Sequence, residues 1–309
     1  MSGIPLGRNS RGQCSGPFME PTMAKITDIC SESRDGPVII CDFSPPRGAD
    51  PALLQGALSV DADFLCVAYS PGKSVRVDSV IAAYVIKEQM ERDVIFTIAT
   101  RDMNKLALQS HLLGASQLGL HNVIVVGGDG FTERDLTVVK DVSDFTSTGL
   151  ITAIKAMNLG TDYKGLKLRS VTDFCVGATI DLGRDIEREA RLTYRKVLAG
   201  ADFFITQPVY HLDQVERFQE SYESVAWERL SMPIFLGLQI LDAKGLIFGE
   251  VPESIKKDLE HGREGTDIAI DLLHQFVAGG ITNIYLVPPI FRGGLRDYEA
   301  TKRVLEGFK

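Results

Sequence analysis

Residues Val38 to Gly48 read VIICDFSPPRG. Val38, Ile39, Ile40 and Cys41 form an uninterrupted apolar run, the pattern of a parallel strand covered on both faces. Asp42, Phe43 and Ser44 follow, and the Pro45-Pro46 pair ends the strand. In a barrel of alternating strands and helices the chemistry sits at the C-terminal ends of the strands. A carboxylate at that place is a candidate proton donor. Taken alone, it also suits a residue that satisfies backbone amides in the turn.

Seven further apolar runs of similar length follow: Phe64–Tyr69, Val94–Ile98, Asn122–Val126, Thr172–Gly177, Phe203–Thr206, Ile234–Leu238 and Asn283–Val287. Helical patterns separate them, near Ala52–Leu58, Val77–Gln89, Asn104–Leu118, Ser143–Met157, Arg184–Ala199, Asp213–Tyr222, Thr266–Ala278 and Glu299–Glu306, with an extra short helix opened by Pro252. Three helix-to-strand joints, LGLHNVIVV, LAGADFFIT and VAGGITNIY, place a glycine just past the helix, where a left-handed cap is needed. Strand–helix alternation implies a parallel sheet. Eight units predict a single α/β (β/α)8 TIM barrel. An open doubly wound sheet is the alternative, and no GxGxxG follows a strand. The expected division is an N-terminal arm and lead-in over 1–34 and a barrel over 35–309.

Hydrophobic residues make up 44% of the 309 and charged residues 24%, which allows a sizeable core. A net charge of -8 argues against a nucleic-acid surface. No run suits a membrane span. Residues 1–20, rich in Gly, Ser and Pro and lacking an apolar core, read as a mobile arm rather than a signal peptide. Cys14, Cys30, Cys41, Cys66 and Cys175 lack metal or redox spacing, and Cys41, Cys66 and Cys175 lie in apolar strand-like runs, so buried thiols in a reducing cytoplasm are expected rather than disulfides or a metal site. The five histidines also lack metal-ligand spacing, and no metal is expected. His111 is read as a helical residue at or near the surface, and Trp227 as the anchor of a surface loop. Glu187-Arg188-Glu189 is read as a solvated helix face.

The strand ends define the candidate site: Asp42; Tyr69; Arg101; Gly127, Gly128 and Asp129; Ala178 and Thr179; Gln207 and Tyr210; Gln239; and Pro288-Pro289 with Arg292. Two carboxylates, amides and aromatics around one mouth suit a polar heterocycle. Gly127 and Gly128 allow close backbone approach to a ring or phosphate, although a tight turn explains them about as well. Lys196, near the end of a helix, reads as a cap for carbonyls.

The chain resembles the methylenetetrahydrofolate reductase family, particularly its shorter bacterial members and the reductase half of bifunctional methyltransferase-reductase proteins. The matching stretches are CDFSPPRG at Cys41–Gly48, TRDMNKLALQSHLLGASQLGLHNVIVVGGD at Thr100–Asp129, VGAT at Val176–Thr179, RKVLAGADFFITQPVY at Arg195–Tyr210, EVPESI at Glu250–Ile255 and IYLVPP at Ile284–Pro289. The resemblance implies a (β/α)8 barrel that binds FAD and uses NADH or NADPH to reduce 5,10-methylenetetrahydrofolate to 5-methyltetrahydrofolate. It implies that Asp42 assists protonation at N10 and that Asp129 meets the pterin. It implies substrate contacts from Gln207, with Tyr210 and Gln239 beside it, and cofactor contacts from Tyr69, Thr97, Arg101, Gly127, Gly128, Ala178, Thr179 and Lys196. The substrate is then a reduced folate or related pterin, the cofactors FAD and a nicotinamide donor, the assembly a homo-oligomer, and the place cytoplasmic, with neither nucleic acid nor membrane as partner.

Departures from the pattern bear mainly on the flavin. Thr97 stands where many members carry His, Gly127 where many carry Arg, and Thr179-Ile180-Asp181 where longer members have Tyr-Pro-Glu. Around Leu241–Lys244 there is no equivalent of the aromatic that stacks on substrate. Two rival readings follow: direct hydride transfer from NAD(P)H without flavin, and a pterin-binding subunit of a methyltransferase or electron-transfer complex.

Overall fold

The computed structural model describes residues 24–309. The expected arm over 1–20 and Cys14 lie outside the described residues. Eight parallel strands close into a barrel in sequence order: β1 (Val38–Phe43), β2 (Phe64–Val67), β3 (Val94–Ala99), β4 (Asn122–Val126), β5 (Cys175–Ile180), β6 (Phe203–Pro208), β7 (Ile234–Gln239) and β8 (Asn283–Val287). β1 pairs with β8, Cys41 opposite Leu286, which closes the ring. The helices are α1 (Ile26–Ser31), α2 (Ser79–Met90), α3 (Lys105–Gln117), α4 (Ser147–Asn158), α5 (Ile186–Leu198), α6 (Asp213–Ala226), α7 (Glu253–Glu260), α8 (Gly265–Ala278) and α9 (Tyr298–Phe308). None of the described helices is long and apolar enough to cross a membrane.

The period-two alternation of a strand sorts each residue to one of two cores. Ile39, Cys41, Phe43, Leu65, Val67, Phe96 and Ile98 face the helices. Val38, Ile40, Phe64, Cys66, Ile95, Ile124, Cys175, Phe203, Ile205 and Phe235 fill the interior. Gly177 is required there, since a Cβ would run into the Phe203 ring from the next strand. Cys41, Cys66 and Cys175 are buried free thiols, as expected.

Several elements depart from the expected bounds. The fifth strand is expected over Thr172–Gly177 but runs Cys175–Ile180. Thr172 and Phe174 are tied to the end of α4 instead, where Asn158 Oδ1 accepts from the Thr172 hydroxyl (2.7 Å) and the Phe174 amide (3.0 Å). The second strand stops at Val67, leaving Tyr69 in the loop. The helix expected over Ala52–Leu58 is a 3₁₀ helix over Pro51–Ser59, in which Gly56 lies so close to the Tyr298 ring that a Cβ would sit 2.7 Å from it. The three joint glycines take the left-handed cap, with φ of 69° at Gly119, 102° at Gly200 and 83° at Gly280. Trp227 anchors nothing: it caps α6 in the left-handed conformation with its side chain 91% exposed.

The lead-in carries α1, which no sequence pattern singled out. Its Ile26 is fully buried in the interior cluster at the N-terminal end of the strands. Asn122, fully buried on β4, fastens it: Oδ1 accepts from the Ile26 amide (3.1 Å) and Nδ2 donates to the Ala24 carbonyl (2.8 Å). Replacing Asn122 with Ala strands both backbone groups. A loss of about 1–3 kcal/mol is expected, measured as a lower urea midpoint at unchanged slope.

Burial pushes the Cys66 and Cys175 thiols up to about 12 from 9.0. The folded state holds their protons where the unfolded chain releases them. Their stabilising share is therefore complete below pH 9 and is lost as pH rises toward 12. Unfolding midpoints measured across pH 8 to 11 should fall above pH 9, less steeply in a Cys66→Ala, Cys175→Ala protein referenced to its own pH 8 value.

Candidate active site

Continued upward, the interior alternation changes from apolar to polar. Ile40 is followed two residues on by Asp42, Ile95 by Thr97, Gly177 by Thr179 and Ile205 by Gln207. The result is a mouth of about 240 Å³ at the C-terminal ends of the strands, with an apolar wall from Ile124, Val126, Ile205, Val287 and Ile290. Polar groups come from Asp42, Thr97, Thr179 and Gln207, and aromatics from Tyr69, Tyr285 and Phe248. Beside Gln207 the β6–β7 register shifts between Ile205 and Pro208.

Asp42 is 6% exposed and has two partners. Tyr285, on β8, donates to Oδ1 at 2.9 Å. Arg296 Nε, from the turn after β8, lies 3.0 Å from Oδ2, and the two side chains are 7% and 8% exposed. A pair so far removed from water costs about 3–5 kcal/mol to break by removing one member. Exposed pairs such as Arg229–Glu216 (50% and 58%) are screened by water and contribute little. Burial and the neighbouring Asp42 carboxylate hold the Tyr285 phenol well above its usual range, so it stays a neutral donor. Burial acts most strongly on Arg296 and lowers its pKa, but the charge and hydrogen bond of Asp42, with Tyr298 and Tyr285, leave it raised. Phenol, carboxylate and guanidinium thus form a short chain of proton-carrying groups against an apolar slot.

The expected site residues are not all in that slot. Asp42, Tyr69, Thr97, Thr179 and Gln207 line it. Burial and the Asp102 carboxylate push the Tyr69 phenol up to about 12. Gly127, Gly128 and Asp129 form an exposed loop on the rim after β4 and do not line the slot. Gly128 takes φ 84° there. Arg101 shapes that loop: it grips Asp102 with two nitrogens (2.7 and 2.8 Å), donates to the Asp129 carbonyl at 2.8 Å and lies 4.4 Å over the Phe131 ring.

Ala178, Lys196, Tyr210 and Gln239 stand behind the wall. Ala178 and Tyr210 belong to the core between strands and helices. The Tyr210 hydroxyl is buried without a partner, and burial raises its pKa. Gln239 is 2% exposed, with its amide spent on the Leu246 carbonyl (2.7 Å) and the Phe248 amide (2.9 Å). That pairing sets Phe248 over the mouth, so an aromatic after the seventh strand does exist, a few residues beyond Leu241–Lys244.

Lys196 neither caps α5 nor stands free. It is buried, donates to the Thr179 carbonyl and lies 3.5 Å from the buried Glu189, so the charge run 187–189 is only partly a solvated face. Burial lowers the lysine's pKa even though Glu189 raises it. Lys73 is likewise spent on Asp135 (2.7 Å) and Arg101 on Asp102. These three cations, on the side of the mouth running from β2 to β5, are each neutralised by a carboxylate. The set does not fit the diphosphate of a flavin dinucleotide.

The residues missed in the sequence are Tyr285, Arg296 and Phe248. A signal existed for Tyr285, a polar-tipped aromatic at an inward position in the middle of a mostly apolar strand. Arg296 gave none, because it arrives from a turn in which Ile290 and Arg296 bridge antiparallel and Gly293 and Gly294 take φ of 82° and 79°.

A family model described as methylenetetrahydrofolate reductase matches residues 27–289, which takes in every strand and the Asp42 and Tyr285 positions. The chain belongs to this family. Methylenetetrahydrofolate reductase 1 of Schizosaccharomyces pombe is 23% identical over 221 residues, 65% of this chain. The match covers 34% of that protein, so the chain spans about a third of the curated relative. An uncharacterized protein from Clostridium thermocellum that binds two copies of 5-methyl-5,6,7,8-tetrahydrofolic acid superposes with a TM-score of 0.61 at 16% identity, covering 89% of this chain and 95% of that one. At that identity the likeness carries the barrel fold.

Replacing Lys196 with Met leaves Glu189 buried without a cation, and about 3–5 kcal/mol of stability should be lost. Replacing Glu189 with Leu in the same protein should restore most of it. Urea unfolding of the single and double variants measures both; a single variant as stable as the parent would refute the coupling.

Proposed function

We propose that this chain binds a reduced folate with its pterin in the barrel mouth and catalyses reduction of 5,10-methylenetetrahydrofolate to 5-methyltetrahydrofolate. The observation that carries the reading is the buried Asp42–Tyr285–Arg296 chain facing a narrow apolar slot in a member of this family. Opening the imidazolidine ring needs a proton at N10, and hydride must then reach the resulting iminium carbon. Asp42 takes up a proton from water at the open mouth and delivers it to N10, Tyr285 orients the carboxyl group as a neutral donor, and Arg296 holds the carboxylate that is left. Gln207 fixes the ring edge, Phe248 covers its face, and Asp129 is the second acid, on the open rim.

The hydride donor in this reading is NADH or NADPH acting directly. Its support is the neutralised state of Lys196, Arg101 and Lys73, which leaves no free cation among these three for a flavin diphosphate. The chain works in the cytoplasm as a homo-oligomer.

Replacing Asp42 with Asn should lower kcat for folate reduction by ~10²–10⁴-fold, and Tyr285→Phe by less. The visible spectrum of the purified protein, recorded before and after each nicotinamide, separates the donors. A colourless protein that turns over the folate fits direct transfer. A flavin band bleached by the nicotinamide would instead make FAD the relay, and folate binding without turnover would make the chain a carrier subunit.

A further inference from the structure

A second cavity, of about 450 Å³, opens beside the mouth between the turns after β1, β2 and β8, and Arg296 lines both. Its wall carries Ser44, Arg47, Arg76, Gly294 and Tyr298. Arg296 is neutralised by Asp42. Arg76 is held by neutral atoms alone: Nη1 donates to the Pro45 carbonyl (2.8 Å), Nη2 to the Gly293 carbonyl (3.0 Å) and Nε to the Ser74 hydroxyl (3.1 Å) and the Pro71 carbonyl (3.4 Å). Its seat depends on Gly294, where a Cβ would collide with the guanidinium. Burial pulls its pKa below the usual range, and the neighbouring cations Arg296 and Arg47 add to that against a smaller opposing effect of Tyr298. Arg47 is exposed and forms no ion pair among the described residues. The Ser44 hydroxyl is buried without a partner.

Two guanidinium groups converge here without a counter-charge, in contrast with the opposite side of the mouth. Like charges held together in a partly desolvated recess are unfavourable until an anion joins them. Guanidinium groups match carboxylate and phosphate oxygens in geometry. We propose that the Arg47–Arg76 recess is an oxyanion subsite, which takes a carboxylate or phosphate of a ligand whose ring occupies the mouth. It rests on the folate reading for the ring. The oxyanion comes either from a glutamyl tail on the folate or from a phosphate of the nicotinamide dinucleotide.

Binding of 5-methyltetrahydrofolate, 6-methyltetrahydropterin, NADH and NADPH to the full chain and to its Arg47→Ala and Arg47→Glu variants tests this. Arg47→Ala should weaken one class by about tenfold, and Arg47→Glu more. Loss confined to the folate, with the tail-less pterin unaffected, assigns a carboxylate; loss confined to the dinucleotides assigns a phosphate. Unchanged affinity for all four ligands in both variants overturns the subsite. Should neither pterin bind the parent protein, the folate reading fails and the recess is judged with inorganic phosphate. A phosphate-dependent rise in Tm that disappears in Arg47→Ala upholds it, and no rise overturns it.

Discussion

The carboxylate of Asp42 is the constraint around which the active end of this barrel is arranged. It sits 6% exposed in an apolar mouth, where an unpaired charge is too costly to keep. Its partners come from positions 243 and 254 residues further along the chain. They meet it only because β8 closes against β1. A buried ion pair of this kind is weak evidence for stability, since packed apolar side chains do as well or better. Its place at the mouth supports the proposed chemistry, in a layer that is polar above Ile40, Ile95 and Gly177 and stays apolar above Ile124, where Val126 stands.

The mouth has two electrically different flanks. From β2 round to β5, Lys73, Arg101 and Lys196 each meet a carboxylate, and what they stabilise is protein: a rim loop, a turn, the seat of α5. Between β1, β2 and β8, Arg76 is braced by carbonyls and keeps its charge uncompensated, with Arg47 beside it. Cations that look alike in sequence therefore do different work. The difference decides which flank has charge left over for a ligand.

Much of the fold was legible because the barrel repeats a local pattern. Apolar runs of strand length, glycine-capped joints and intervening helices each express short-range physics, and all eight strands were found. The fifth was displaced because Thr172 and Phe174 look strand-like but are claimed by Asn158. α1 escaped notice because one buried isoleucine held by Asn122 makes no periodic signal. Within the site, positions on strands were placed well: Asp42, Thr97, Thr179 and Gln207 face the mouth by alternation alone. Residues on loops and helices were not. Gln239 holds a loop by its amide, Lys196 is consumed by Glu189, and Phe248 reaches the mouth from a loop whose path no local rule sets.

The amino-acid sequence by itself determined the closed barrel, the family, and the place of an acid at the C-terminal ends of the strands, because alternation and capping act between residues close in the chain. The tertiary structure alone decided which charges are neutralised and which are left over. That depends on pairs brought together across the closure of the ring, Asp42 with Arg296 and Arg76 with the turn after β8. Electrostatic compensation is a property of distance in space, and spacing along the chain carries no record of it.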